Sequence, residues 1–600
     1  LREADHRDRV ARLRSEMSRR DLTGYLIPHE DGYLNEWTPA ADCRLEWLTG
    51  FSGSAGIAVV LRDRAAVLTD ARYTRQVAQQ CAQDLFEVHD LVDLPWQDYV
   101  ARHAAGGAIG FDPALHSIAS LAVLHALSRS ASFEIVAVPE NLVDGIWQDR
   151  PAIEVLPAHV HPVRLAGESS ASKRTRLAGE LGGGCSAAVI ATCDNTAWLV
   201  NIRGGGLPYL PAPPGRALLH ADASVDLFVA PESVDDRTRE QLGDDIRIHP
   251  PAMFADHLKA LAGSRVLVDP ATTPVAIETQ LHDAGVQVVR GSDPCHLAKA
   301  VKNEQEIAGA RDVHRRDGAI LVQLLHWIDT HGPTGSVDEL AVARRYRELH
   351  EADERYWGLG FPVAACVGAH SSYPHYAPTS ESNVPLEPGE VFLIDAGAQF
   401  HDGTTDITRT VPIGAPRPEH VQAHTLALKA HIAHAVLRFP PGIGAMHIDA
   451  VARQYFWRHG LDYGPGTAHL IGSFLKVHEG PMYMHWKRGN EVPLLPGMII
   501  EHEPGYYRPD EFGVRVENTF LIGEPAVPPG GELPMCGFEV ISLAPVDRRL
   551  IDLDALSDEE IRWIDEYHEV VENELRNLLP PEVSSWLHEM TRPLRPAALP

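Results

Sequence analysis

Apolar runs of strand length alternate with helical stretches through the first half of the chain, and two series of them repeat in the same order. Thr23–Trp37 (TGYLIPHEDGYLNEW), Arg64–Tyr73 (RAAVLTDARY) and Ala108–Pro113 (AIGFDP) form the first series. Ser186–Val200 (SAAVIATCDNTAWLV), Arg216–Val225 (RALLHADASV) and Arg265–Pro270 (RVLVDP) form the second. Each reads as strand, turn, strand, helix and a strand ending in Asp-Pro, as two similar α/β domains joined near Ile146–Pro157 would. From Ala298 the pattern changes. Ile307, Ala310, Val313, Ile320, Leu324 and Trp327 keep helical spacing within Ala298–Ile328, about eight turns. Strands and turns then alternate to about Pro545. Ser557 and Glu560 form a capping box that opens an amphipathic helix. The last 20 residues, rich in Pro and Leu, follow no clear period. The opening LREADHRDRVARLRSEM alternates in charge like a surface helix rather than a signal peptide, and because it begins with Leu a trimmed start is expected.

Six hundred residues exceed one hydrophobic core, so the pattern predicts three domains: 1–150, 151–297 and 298–600. An apolar content of 44% with 22% charged residues is that of a soluble globular protein. No apolar run of about 18 residues predicts a membrane span. The formal charge, 53 basic against 82 acidic residues or −29, excludes nucleic acid and anionic membrane surfaces as partners. Seven scattered cysteines (Cys43, Cys81, Cys185, Cys193, Cys295, Cys366, Cys536) include no CxxC pair. They point to a reducing, cytoplasmic compartment and to buried packing thiols rather than a nucleophile or zinc knuckle.

The strongest chemical signal is VFLIDAGAQFHDGTTDITRTV, Val391–Val411. A strand over Val391–Ile394 ends at Asp395, a Gly-rich turn follows, and a second strand covers Ile407–Val411. A hairpin of this kind sets Asp395 beside Asp406. One such Asp is ordinarily a turn-former; two ionised carboxylates held together in a partly dry site repel and call for a cation. In Met498–Ile522, Glu503 ends an apolar strand and Glu517 lies inside GVRVENTFLI, where a carboxylate is poorly solvated. Its structural alternative is burial against Arg515. In DYGPGTAHLIGSFLKVHEGP, Asp462–Pro481, His469 follows a Gly-Thr-Ala turn and His478 ends a strand. Either histidine alone is more often a hydrogen-bonded structural residue. Together, four carboxylates and an imidazole suit two hard divalent ions such as manganese, whose charge of four they neutralise. Two ions about 3.5–4 Å apart would hold a hydroxide against a carbonyl and stabilise the oxyanion.

These segments resemble the three-domain Xaa-Pro aminopeptidases (aminopeptidase P), metallopeptidases of the pita-bread fold. GFSGSAG, LTDARY, FDP, KAVKNEQE, HYAP, DAGAQFHDGTTDITRT, GSFLKVHEGP, EPGYY, VRVEN and LDALSDEEIRWIDEYH all fall in the family's order and span nearly the whole chain. The resemblance implies an α+β protein: a C-terminal pita-bread catalytic domain preceded by two related α/β creatinase-type domains. It implies Asp395, Asp406, His469, Glu503 and Glu517 as metal ligands, with Asp406 and Glu517 bridging two ions, and manganese favoured over zinc or cobalt. It makes Glu503 the general base and His478 and His375 substrate-side histidines. Arg515 lines the site, either as a substrate contact or as a strut for an acidic neighbour. It also implies a homodimer through the catalytic domain and a peptide or amide as substrate.

Where the family usually reads HGTGHGVG, this chain reads PGTAHLIG, Pro465–Gly472. Pro465 removes a donor, an acceptor and a titrating group from the substrate cleft but should leave metal binding intact. With Ala468 and Leu470 it predicts a more apolar pocket wall. The leading reading is a dinuclear-metal aminopeptidase that cleaves the N-terminal Xaa-Pro amide with a metal-bridged hydroxide. The alternatives are a metal-dependent hydrolase or acyl-transfer enzyme acting on a modified, more apolar amide, and a non-catalytic binding protein on the same fold.

Overall fold

Two sheets of one topology account for the repeat. In spatial order the first runs Glu87–Asp90, Ala65–Thr69, Ile57–Leu61, Gly24–Pro28, Ala108–Phe111 and Glu134–Ala137. The second runs Ile246–His249, Val225–Val229, Gly215–His220, Ala187–Ile190, Arg265–Val268 and Gln287–Arg290. In each sheet the second, third and fourth strands are antiparallel neighbours and the remaining pairs are parallel. The inner strands are buried on both faces, which is why they read as continuous apolar runs. The outer strands EVHD, EIVA, IRIH and QVVR carry no such run and fell outside both series. The series also pair one strand wrongly. Arg216–Val225 spans a hairpin, and the counterpart of Ala65–Thr69 is its second strand, Val225–Val229.

The structure is a computed structural model that describes residues 2–104, 106–487 and 489–595. It divides into two compact units, Leu1–His296 and Leu297–Pro600. The N-terminal helix, Arg2–Arg19, is more than a surface element, because Val10, Leu13 and Met17 bury one of its faces. In the second unit every described strand pairing is antiparallel. Val391–Phe400 and Gly403–Pro412 form a long hairpin in a four-stranded sheet. A six-stranded sheet runs Arg438–Phe439, Cys536–Val540, Asn518–Ile522, Ile499–His502, Ala468–Leu470 and Glu479–Met484. The helices Glu304–His331 and Pro418–Ala435 pack on these sheets, and Asp558–Leu575, which packs on both helices, opens on the expected Ser557–Glu560 capping box. Within the unpatterned tail Pro581–Thr591 is helical, while residues 596–600 lie outside the described residues. No helix of the described residues is long and apolar enough to cross a membrane.

The 28-residue helix Glu304–His331 starts on a capping box between Asn303 and Glu306. It lies close on its neighbours because of two glycines. A Cβ on Gly309 would sit 2.3 Å from the Asp402 carbonyl oxygen, and one on Gly318 would sit 2.3 Å from that of Leu543. Gly318→Ala should therefore destabilise the protein by about 1–3 kcal/mol, because overpacking against backbone outweighs a helix-propensity gain of about 1 kcal/mol. Denaturant unfolding checks this. Unchanged or higher stability would show that the helix can shift away at little cost.

Candidate functional site

The long hairpin supplies two of the carboxylates. Its register pairs Asp395 with Thr408 and Gly397 with Asp406, so Asp395, Asp406 and Thr408 share one face. The first strand does not stop at Asp395 in a Gly-rich turn, as its sequence suggests. It continues to Phe400, and the turn is His401–Asp402. Gly397 is needed for close approach: a Cβ there would lie 2.4 Å from the Thr405 carbonyl oxygen and 2.5 Å from the Phe361 ring.

The six-stranded sheet supplies the other groups. His469 pairs with Glu501, and Glu501 with Thr519, so the three side chains share a face. Glu503 follows Ile499–His502 directly, two residues beyond Glu501. Glu517 does not lie inside one continuous strand. The chain breaks at Val516–Glu517, leaving Phe512–Arg515 in a two-stranded ribbon and Asn518–Ile522 in the larger sheet.

Ligand-type atoms of Asp406, His469 and Glu517 lie within 4.8 Å of one another. His469 Nε2 is 3.8 Å from Asp406 Oδ2 and 3.9 Å from Glu503 Oε1. Its Nδ1 donates to the Leu470 carbonyl at 2.9 Å, which leaves the Nε2 lone pair facing the carboxylates. Asp395 Oδ1 and Asp406 Oδ1 are buried without a hydrogen-bond partner. An orphaned buried carboxylate oxygen costs far more than a paired one, so the pair marks where cations fit.

Arg515 is 1% exposed and bonds inward. Its guanidinium reaches Asp395, Thr408 Oγ1 at 2.8 Å, the Tyr507 hydroxyl at 2.8 Å and the Pro374 carbonyl at 3.2 Å. Thr408 in turn donates to Glu517. Burial, then the charges of Glu517 and Asp395, raise the Asp406 carboxyl well above the usual range. Burial with Asp395 and Glu503 does the same to Glu517, and burial raises Asp395 against the pull of Arg515. Without cations the cluster holds protons; divalent ions beside it would release them.

A fifth carboxylate, Glu501, was missed in the sequence although it interrupts an apolar run just as Glu517 does. It is fully buried, and both its oxygens lie 2.9 Å from Thr519 Oγ1. His314 Nδ1 donates to the Ala310 carbonyl at 2.7 Å, so its Nε2, 2.7 Å from Thr519 Oγ1, accepts the threonine proton. Thr519 thus has one proton for two acceptors, His314 Nε2 and the Glu501 carboxyl. Burial and the neighbouring Glu517 raise the pKa of Glu501 well above the usual carboxylate range. Glu501 is therefore a neutral wall of the cluster.

His478 stands edge-on to His469 with ring centroids 4.7 Å apart, and His375 stacks on His478 at 5.8 Å. Three imidazoles thus line up beside the carboxylates. Pro465 is buried in a separately braced segment, where its carbonyl accepts from Arg453 Nη2 at 2.9 Å. The same guanidinium holds Asp449, Asp462 and the Tyr463 carbonyl. Ala468 and Leu470 flank His469 in the strand and so face the other way, into a core with Phe439, Met484, Ile500 and Phe520. Of the three departures from the family segment, these two therefore do not build the wall beside His469.

Comparison with known proteins places this geometry. Residues 308–524 match the model of metallopeptidase family M24, and 534–594 match the C-terminal region of peptidase M24. Residues 9–143 and 149–306 each match a creatinase/prolidase N-terminal domain. The chain is 35% identical to the probable Xaa-Pro aminopeptidase P of Aspergillus niger, over 98% of this chain and 99% of that protein. It is 34% identical to that of Talaromyces stipitatus, over 98% and 92%. The crystal structure of X-prolyl aminopeptidase from Caenorhabditis elegans, described as a cytosolic enzyme with a di-nuclear active site, superposes with a TM-score of 0.92 at 31% identity, covering 98% of this chain and 99% of that one. By fold and by identity along its whole length, the chain belongs to metallopeptidase family M24, alongside the Xaa-Pro aminopeptidase P proteins.

Proposed function

We propose that this metallo-aminopeptidase releases the N-terminal residue of Xaa-Pro peptides, using two divalent ions held by Asp395, Asp406, His469, Glu503 and Glu517. The observation that carries the proposal is the convergence of Asp406, His469 and Glu517 beside two buried, unpartnered carboxylate oxygens. The whole-length similarity to Xaa-Pro aminopeptidases gives the reaction class.

When bound, the two ions supply Lewis acidity toward a carbonyl oxygen and make a water more acidic. Glu503, the least enclosed of the carboxylates, is placed to take a proton from water and return it to the leaving amine. His478 and His375, stacked beside His469, are placed to hydrogen-bond the amide and keep the peptide in register. Arg515 acts as a strut: its inward bonds hold Asp395 and, through Thr408, Glu517, so we prefer this role to direct substrate contact.

The oxygen-rich donor set supports manganese over zinc or cobalt. Seven free thiols, six of them buried, support a cytoplasmic protein, as does the cytosolic relative. Three domains, 1–150, 151–297 and 298–600, and a homodimer through the catalytic domain complete the proposal. The paired sheets support the first point and the family resemblance the second. Pro465 favours one further reading, a preference for a more apolar amide, because it stands where the family segment carries a titrating histidine.

Two experiments test these readings. With manganese, the chain should release arginine from Arg-Pro-Pro, and Asp406→Asn should lower that rate by at least about a thousandfold with loss of bound metal. Silence of the fully loaded chain would remove the Xaa-Pro reading, and a large gain in Pro465→His would support redirection toward another amide. The second concerns pH. Asp406 and Glu517 have folded-state pKa values raised above their unfolded values. The metal-free folded state therefore binds the extra protons at these two groups, and the stability they contribute falls as pH rises above about 4. Buried histidines with lowered pKa act in the opposite sense up to about pH 6.5, so the test is a difference: from about pH 5 to about pH 8 the melting temperature of the chelated chain should fall relative to that of chelated Asp406→Asn. A slope equal in both proteins would show that the cluster does not carry the effect.

A further inference from the structure

Away from the carboxylate cluster, one face of the second N-terminal sheet gathers three histidines around Asp226. Asp226 pairs with Leu218 on one side and Arg247 on the other, and Phe228 pairs with His249. By alternation His220, Asp226, Arg247 and His249 all stand on that face. The helix Phe254–Ala260 packs over it and brings His257. His249 Nε2 lies 2.9 Å from Asp226 Oδ1, and His257 Nδ1 lies 3.4 Å from Oδ2. The two imidazole centroids are 4.2 Å apart, and Phe228 meets His257 edge-on at 5.1 Å, closing one side. Ligand-type atoms of Asp226, His249 and His257 all lie within 4.8 Å of one another.

We propose that Asp226, His249 and His257 form a separate metal site for one borderline divalent ion of the zinc class, held by a carboxylate oxygen and two imidazole nitrogens. Two nitrogen donors to one oxygen select zinc, copper or nickel over manganese, the reverse of the carboxylate cluster with its single imidazole ligand. Asp226 is presented as an outer shell would present it: His220 Nε2 holds Oδ2 at 2.8 Å and Arg247 Nε holds Oδ1 at 2.7 Å. The His249 and His257 side chains are 19% and 23% exposed, which leaves an ion a way in and a position for water. Arg247 is half exposed, and Asp222 and Asp245 lie in its electrostatic surroundings, which offsets its repulsion of the ion. The ion takes the lone pairs of His249 Nε2 and His257 Nδ1, and any proton there leaves to solvent.

The test counts zinc. The full chain is stripped with a chelator, equilibrated with excess Zn2+, freed of unbound metal and analysed for zinc per chain. The double variant His249→Gln/His257→Gln, checked for folding by circular dichroism, should hold one equivalent fewer than the unsubstituted chain while keeping its aminopeptidase rate. Asp406→Asn/Glu517→Gln should retain that equivalent. Equal zinc in the folded double variant and the unsubstituted chain would overturn the proposal and leave Asp226 as a hydrogen-bonded carboxylate in a histidine cage. Should the double variant not fold, one equivalent of Cu2+ on the Asp406→Asn/Glu517→Gln chain decides. Its electron paramagnetic resonance spectrum should show two nitrogen ligands, and a spectrum without them would overturn the site.

Discussion

Mutual repulsion among buried carboxylates is the constraint around which the catalytic half is organised. Asp395, Asp406 and Glu517 are each more than nine-tenths buried, and Glu503 stands within 4 Å of the same histidine as Asp406. Arg515 brings one full positive charge into contact with them, and the Glu501 charge is removed by protonation. What remains can ionise fully only beside cations, and it includes two oxygens with nothing to bond. A fold keeps such a cluster only where something repays its cost, and divalent cations do so in a way a hydrogen bond cannot.

The surrounding structure holds these groups in place against that repulsion. Arg409, next to Thr408 in the hairpin, is buried and bonds the Glu517 carbonyl at 2.6 Å, Asn518 Oδ1 at 2.8 Å and the Tyr567 hydroxyl at 2.9 Å. One side chain thus ties the hairpin, the break between ribbon and sheet, and the C-terminal helix together. Behind the sheet, His434 contacts His502 at 2.6 Å, His502 contacts His431 at 3.1 Å, and His431 contacts Asn518 at 2.9 Å. Burial lowers the pKa of all three histidines, so this chain adds hydrogen bonds without adding charge. Arg453 braces the Pro465 segment in the same manner.

Much of this was legible in the chain because charge in an apolar run is a local signal. Asp395, Asp406, Glu503 and Glu517 stand out against their neighbours, and the repeated strands and capped helices follow short-range patterns. Three features were hidden because they depend on chain partners far away in sequence. Gly397 looked like a turn former, whereas the approach of Thr405 and Phe361 makes it a spacer within a strand. Ala468 and Leu470 looked like pocket residues, but strand alternation turns them into the core once His469 faces the carboxylates. Val516–Glu517 reads as strand interior, yet the chain changes sheets there. Glu501 is a different case: its local signal equals that of Glu517, but its role depends on Thr519 and His314, the latter from a helix some two hundred residues earlier.

The central claim is that the carboxylate cluster exists to hold two cations. The most direct measurement is an anomalous difference map from crystals grown with manganese, recorded on the two sides of its absorption edge. The account predicts two peaks about 3.5–4 Å apart, flanked by Asp406 and Glu517, with Asp395 and His469 at opposite ends. A cluster without anomalous density, or with ions bound only elsewhere on the chain, would contradict it.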